Sequence, residues 1–95
     1  MAWPEEIIRE VWGKGIIVSE KDNKVWRKDE CGALMYRKHY ANHNSPYGWE
    51  IEKISYASPC LVSNFRPLQW QNSVNRDGSI NCIITASGNE NVIKK

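Results

Sequence analysis

Gly48-Trp49-Glu50-Ile51-Glu52-Lys53-Ile54, followed by Ser63-Asn64-Phe65-Arg66-Pro67-Leu68-Gln69-Trp70-Gln71-Asn72-Ser73, is the stretch whose reading decides the fold. Trp49 and Ile51 alternate with Glu50 and Glu52, the period of a half-buried strand. Residues 55–63 read as a loop. Asn64 to Leu68 is short and extended, and Pro67 keeps it out of a central strand position because it cannot donate to a ladder. Gln69 to Asn75 is compatible with a short helix that ends before the Asp77-Gly78 turn signal. The expectation is a strand, a loop, a short strand and a helix over about residues 49–76.

Working outward, Pro4 to Trp12 predicts a helix. Pro4 suits the first helical position and Glu5 and Glu6 favour the positive end of the dipole. Ile7, Ile8, Val11 and Trp12 fall on one face, and Gly13 and Gly15 stop the run. Ile16 to Val18 suits a short strand, residues 19–24 a turn and Ala33 to Tyr36 a strand. Asn42 to Gly48 is rich in turn residues. Ile80 to Thr85 reads as a last strand, with residues 86–95 polar and frayed. The 95 residues make one small α+β domain, 1–95, with Trp12, Trp26, Trp49 and Trp70 at positions that pattern as core.

Net charge is +2 and the pI about 8.5. This lies below the pI above ~9 of a strong nucleic-acid binder, so nonspecific DNA affinity should be weak and salt-sensitive. Arg27, Lys28, Arg37, Lys38, Arg66 and Arg76 are candidates for a phosphate-tracking patch. Asp29, Glu30, Glu50 and Glu52 lie near them in the chain, and an ordinary mixed surface fits as well. Cys31, Cys60 and Cys82 are an odd set without C-x-x-C spacing, which argues for reduced, partly buried thiols. No apolar run is long enough to span a membrane, and charges at Glu5, Glu6 and Arg9 interrupt any signal-like segment. The expected location is the cytoplasm.

The segment 49–76 resembles the ββα-metal finger of HNH endonucleases. Trp26-Arg27-Lys28-Asp29-Glu30-Cys31-Gly32-Ala33 and Tyr40-Ala41-Asn42-His43-Asn44-Ser45-Pro46-Tyr47-Gly48-Trp49 are similar to segments of small standalone members of that family from bacteria and phages, and Arg76-Asp77-Gly78 and Cys82 also fit. The resemblance implies an HNH-like core with the N-terminal helix and extra strands packed on it. It also implies four roles: a metal-binding Asp, a general-base His beside it, an orienting Asn, and a second metal ligand on the helix. Glu52 stands at the Asp position and Lys53 at the His position. An ammonium has no lone pair until a pKa of about 10.4 is overcome, so Lys53 is a poor base near neutrality. Asn64 matches the orienting Asn, and Ser73 replaces the second ligand beside a retained Asn72.

Lys53, Asn64 and Ser73 are therefore expected to be inactive equivalents of the catalytic positions. No cofactor is expected. Should cleavage survive, Glu52 and Asn72 are the candidate ligands for Mg, Mn or Zn, with His43 as a replacement base. Arg66, Arg76 and His43 are candidates for contact with nucleic acid. Tyr56, Pro59, Leu61 and Val62 would give the loop a greasy surface suited to a protein partner. The resemblance suggests a catalytically inactive, HNH-like protein of a phage or mobile element that binds and inhibits a host nucleic-acid-processing or defence system in the bacterial cytosol. The alternatives are a divergent metal-dependent HNH endonuclease and a non-catalytic DNA-binding module. A monomer or a dimer is compatible with the chain.

Overall fold

The computed structural model describes residues 3–54 and 62–94. Among the described residues the one α-helix, α1 (Glu5–Trp12), is followed by β1 (Ile16–Ile17), β2 (Trp26–Lys28) and β3 (Leu34–Tyr36). Then come β4 (Trp49–Lys53), β5 (Phe65–Gln69), β6 (Ser73–Val74), β7 (Ile80–Asn81), β8 (Ile84–Ser87) and β9 (Glu90–Ile93). All the strand pairings are antiparallel: a three-stranded sheet β1-β2-β3 and three hairpins, β4-β5, β6-β7 and β8-β9. This is a small α+β domain.

α1 forms where the sequence predicts it, with Pro4 just outside as the N-terminal cap residue and Glu5 and Glu6 in the first turn. Ile8, Val11 and Trp12 are buried with Met35, Trp49 and Phe65, and Trp3, Ile7, Tyr40 and Ile51 pack around them. Each fully buried apolar side chain contributes roughly 1.5–3 kcal/mol. The Trp12 and Trp49 rings meet at 5.1 Å, Tyr40 and Trp49 at 5.0 Å, and Trp3 and Phe65 at 4.8 Å. Trp26 and Trp70, expected in the core, are only half-buried. Gly48 is required by close approach: a Cβ there would lie 1.9 Å from the Asn42 carbonyl oxygen.

A second centre is polar. Asp29, 2% exposed, accepts four hydrogen bonds of 2.9 Å. Oδ1 takes the N–H groups of Cys31 and Ala33, and Oδ2 takes the Gln69 N–H and the Asn72 Nδ2. The first pair closes the turn between β2 and β3, where Gly32 supplies the positive φ. The second pair fixes the end of β5 and the start of β6 against that turn. Burial lifts the Asp29 carboxyl above its usual range, and its four donors pull the other way.

Four expectations need correction. Gln69 to Asn75 is not helical. It forms the end of β5, a turn and β6, because Gln69 is held by Asp29 while Ser73 and Val74 pair with Asn81 and Ile80. Asn, Ser and Val have middling helix propensity, so tertiary pairing decides. The expected strand Ile80 to Thr85 is two strands, broken at Cys82 and Ile83. Residues 86–94 are not frayed: β8 and β9 form a hairpin, and the Asn91 amide bonds the N–H and carbonyl of Leu34 at 2.7 and 2.9 Å.

The fourth correction concerns the thiols. Cys31 and Cys82 form a disulfide, with Cα atoms 5.4 Å apart at positions 51 apart in sequence. The turn set by Asp29 presents Cys31 to Cys82, a juxtaposition that only the tertiary fold creates. This overturns the reading of reduced thiols for that pair; Cys60 lies outside the described residues. No helix among the described residues is long and apolar enough to cross a membrane.

A cross-link closing a loop of this length stabilises a fold by about 4 kcal/mol in the chain-entropy account. Urea unfolding of the oxidised protein should therefore show a loss of that order in the Cys31→Ser, Cys82→Ser double variant. Equal stability of the two proteins would show that the bond does not form in solution.

Candidate functional site

The candidate residues lie on and around the β4-β5 hairpin. Its register sets Glu52 opposite Arg66, Lys53 opposite Phe65 and Trp49 opposite Gln69. Alternation along β4 puts Trp49, Ile51 and Lys53 on one face and Glu50 and Glu52 on the other. The Glu52 carboxylate and the Lys53 ammonium thus leave the strand in opposite directions, and Lys53 does not cover the position of Glu52.

Glu52 is half-buried. Burial first, and then repulsion from Glu50, lifts its carboxyl above the usual range. Glu50 in turn is 2.5 Å from Nε2 of His43. The His43 ring stacks on Trp70, with centroids 5.0 Å apart and planes 12° from parallel. Trp70 is anchored by its own Nε1, which donates to the Ser45 carbonyl at 2.8 Å. The turn over residues 42–48 therefore returns His43 to the face that carries Glu50 and Glu52. Burial and Glu50 together raise the Tyr40 hydroxyl as well.

The other candidates do not join this group as ligands. All four hydrogen-bonding positions of Asn72 are taken. Nδ2 donates to Asp29 Oδ2 at 2.9 Å and to the Ile84 carbonyl at 3.1 Å, while Oδ1 accepts the N–H groups of Ile83 and Ile84 at 2.8 Å each. Ser73 lies on β6, opposite Asn81, where the resemblance places a helix. Asn64 is buried in a 3₁₀ turn, and its carbonyl accepts the Ile54 N–H at 2.7 Å. Among the described residues, no three His, Cys, Asp or Glu side chains are grouped to hold a metal ion. Glu52 with an Asn72 that has no free position does not fit Mg, Mn or Zn.

Arg66 forms an ion pair with Glu30 and its side chain is only 12% exposed. Its Nε is buried without a partner among the described residues, beside a cavity of about 150 Å³ that Lys14, Lys28 and Asp29 also line. Lys14 Nζ donates to the carbonyls of Val62 and Phe65, and burial lowers its pKa. Arg76 is exposed in the turn between β6 and β7, where Ser79 holds the Asp77 carboxyl below its usual range. Of the expected partner-binding residues, Val62 is half-buried in the 3₁₀ turn, while Tyr56, Pro59 and Leu61 lie outside the described residues.

The chain matches no protein-family model, no curated protein and no solved structure.

Sequence reasoning missed two participants. Asp29 sits inside the quoted Trp26–Ala33 segment, yet its anchoring role depends on Gln69 and Asn72, about forty residues away. Glu50 was read only as one surface acid. Its place seven residues after His43, across a turn-rich stretch, was the available signal for their contact.

Two measurements check this geometry. Asn72→Ala removes four buried hydrogen bonds and leaves Asp29 short of a donor, so it should destabilise the fold by roughly 2–4 kcal/mol; a loss within about 0.5 kcal/mol would contradict the assigned network. Glu52→Gln tests the carboxylate. A raised folded-state pKa means stability is fully present below the unfolded pKa and is lost as pH rises through the folded one. The variant should therefore melt above wild type at neutral pH and together with it at acidic pH, below the ordinary glutamate range. A variant that melts lower at neutral pH would show that the Glu52 carboxylate is engaged by a favourable partner.

Proposed function

We propose that this chain acts by binding and not by metal-dependent cleavage of nucleic acid. One observation carries the reading. Asn72, the only retained neighbour of the second metal position, is wholly committed to holding Asp29 to β8. A group saturated by four protein hydrogen bonds can reach a cation only by giving up the junction it maintains. The strand conformation of Ser73 supports the same reading, because it removes the helix that would complete an HNH finger. What remains of the family resemblance is a β-hairpin scaffold, on which binding residues can be displayed without the cutting constellation.

The divergent-nuclease reading has a specific observation in its favour. His43, steadied by Glu50 and stacked on Trp70, stands on the face that carries Glu52, and a positioned imidazole is a competent general base. Plasmid nicking with Mg²⁺, Mn²⁺ and Zn²⁺ separates the two. Wild type should leave the plasmid supercoiled. The Glu52→Asp, Lys53→His, Ser73→Asn triple variant should leave it intact too, because position 73 is on a strand. Cleavage by wild type that is lost in both Glu52→Gln and His43→Ala would overturn the binding reading.

A further inference from the structure

We infer that a cleft between the C-terminal end of α1, the turn at residues 22–26 and the 3₁₀ turn Arg37–His39 binds the phosphate groups of a ligand. The cleft is about 470 Å³ and is lined by Arg9, Trp12, Gly13, Asn23, Lys24, Arg27 and Arg37. Four of these seven residues are cationic and none is acidic, in a chain whose 13 Lys and Arg nearly balance 11 Asp and Glu. The concentration of charge is therefore local to the cleft. A concave surface of one sign focuses the field and raises the local concentration of oppositely charged ligand.

The four cations differ in how they are held, and the differences suit an anion site. Arg27 is fixed: its Nε donates to the Asn23 carbonyl at 2.9 Å and its Nη1 to the carbonyls of Gly13 and Gly15 at 2.9 and 3.2 Å. One of those bonds satisfies the carbonyl of Gly13, the residue that caps α1, and all three leave the guanidinium charge in place. Arg37 is paired at 2.5 Å with Glu5, whose side chain is 61% exposed and so open to competition. Arg9 and Lys24 are exposed, with no side-chain hydrogen bond or ion pair among the described residues. One rigid cation is thus joined by one held in a displaceable pair and two that are free.

The site reads phosphate and not base. Trp12 lends the cleft its indole edge, but it is 5% exposed and its Nε1 donates to the Asn23 carbonyl at 3.1 Å, so it has no open face on which a base could stack. The inference stands apart from the binding reading above, because the cleft shares no residue with the β4-β5 face.

The test is a ¹H–¹⁵N titration of the full oxidised chain at low salt, with pyrophosphate and separately with a short single-stranded oligonucleotide. Pyrophosphate should shift the amides of Gly13, of residues 23–27 and of Arg37. The Arg9→Gln, Lys24→Gln double variant should melt like wild type and bind at least roughly tenfold more weakly, the loss expected from charge-assisted contacts. Glu5→Gln should bind more tightly, because it frees Arg37. An oligonucleotide that moves the same amides assigns the phosphate to a nucleic-acid backbone. One that leaves them unmoved, where pyrophosphate shifts them, assigns it to a small phosphate compound. If neither probe moves these amides, or if the double variant binds as wild type does, the inference is overturned.

Discussion

The Asp29 carboxylate is the constraint on which the rest of the molecule depends. A buried carboxylate is tolerated only when its lone pairs are filled, and here four N–H groups from two separate stretches, residues 31–33 and 69–72, fill them. Its two oxygens divide the work. One closes a turn, and the other gathers Gln69 and Asn72 so that β5 and β6 begin and end where they do. Asn72 then extends the hold to β8, and the Cys31–Cys82 bond runs beside it. The apolar core under α1 supplies the bulk of the burial, while this polar junction selects which hairpins may pack upon it.

The same junction sets the backbone of residues 69–75. A finger needs residues 69–75 to coil into a helix and aim a ligand back at β4. Asp29 instead holds Gln69 and Asn72 at the two ends of a turn, which the Asn72 N–H closes onto the Gln69 carbonyl at 2.9 Å, and Ser73 and Val74 find strand partners around the Asp77-Gly78 turn. The backbone of these residues is thereby committed to a turn and a strand.

Local signals in the sequence were legible. The Pro-Glu-Glu start of α1, the apolar spacing of Ile8, Val11 and Trp12, the alternation through Trp49 to Lys53 and the edge position implied by Pro67 all depend on neighbours within a few residues. Features set by distant neighbours were not. The disulfide joins positions 51 apart. The β8-β9 hairpin is docked by Asn91 reaching Leu34, by Asn72 at Ile84 and by the Ala86 N–H on the Gly32 carbonyl, all partners distant in sequence. The basic cleft collects Arg9, Lys24, Arg27 and Arg37 from a helix, a turn, a strand and a 3₁₀ turn, and only the packing of α1 against the sheet brings them together. Asn72 shows the physical reason most plainly. Asparagine favours turns over helix or strand, but which groups its side chain gathers is settled only by partners across the chain.

The Cys31–Cys82 bond makes residues 31–82 a covalent ring, with α1, β1 and β2 on one arm and β8 and β9 on the other. A protease that hydrolyses one peptide bond inside the ring opens it without releasing either piece. The nicked protein keeps both arms on a single molecule, and falls into two fragments only when the sulfur–sulfur bond is reduced and the fold is lost.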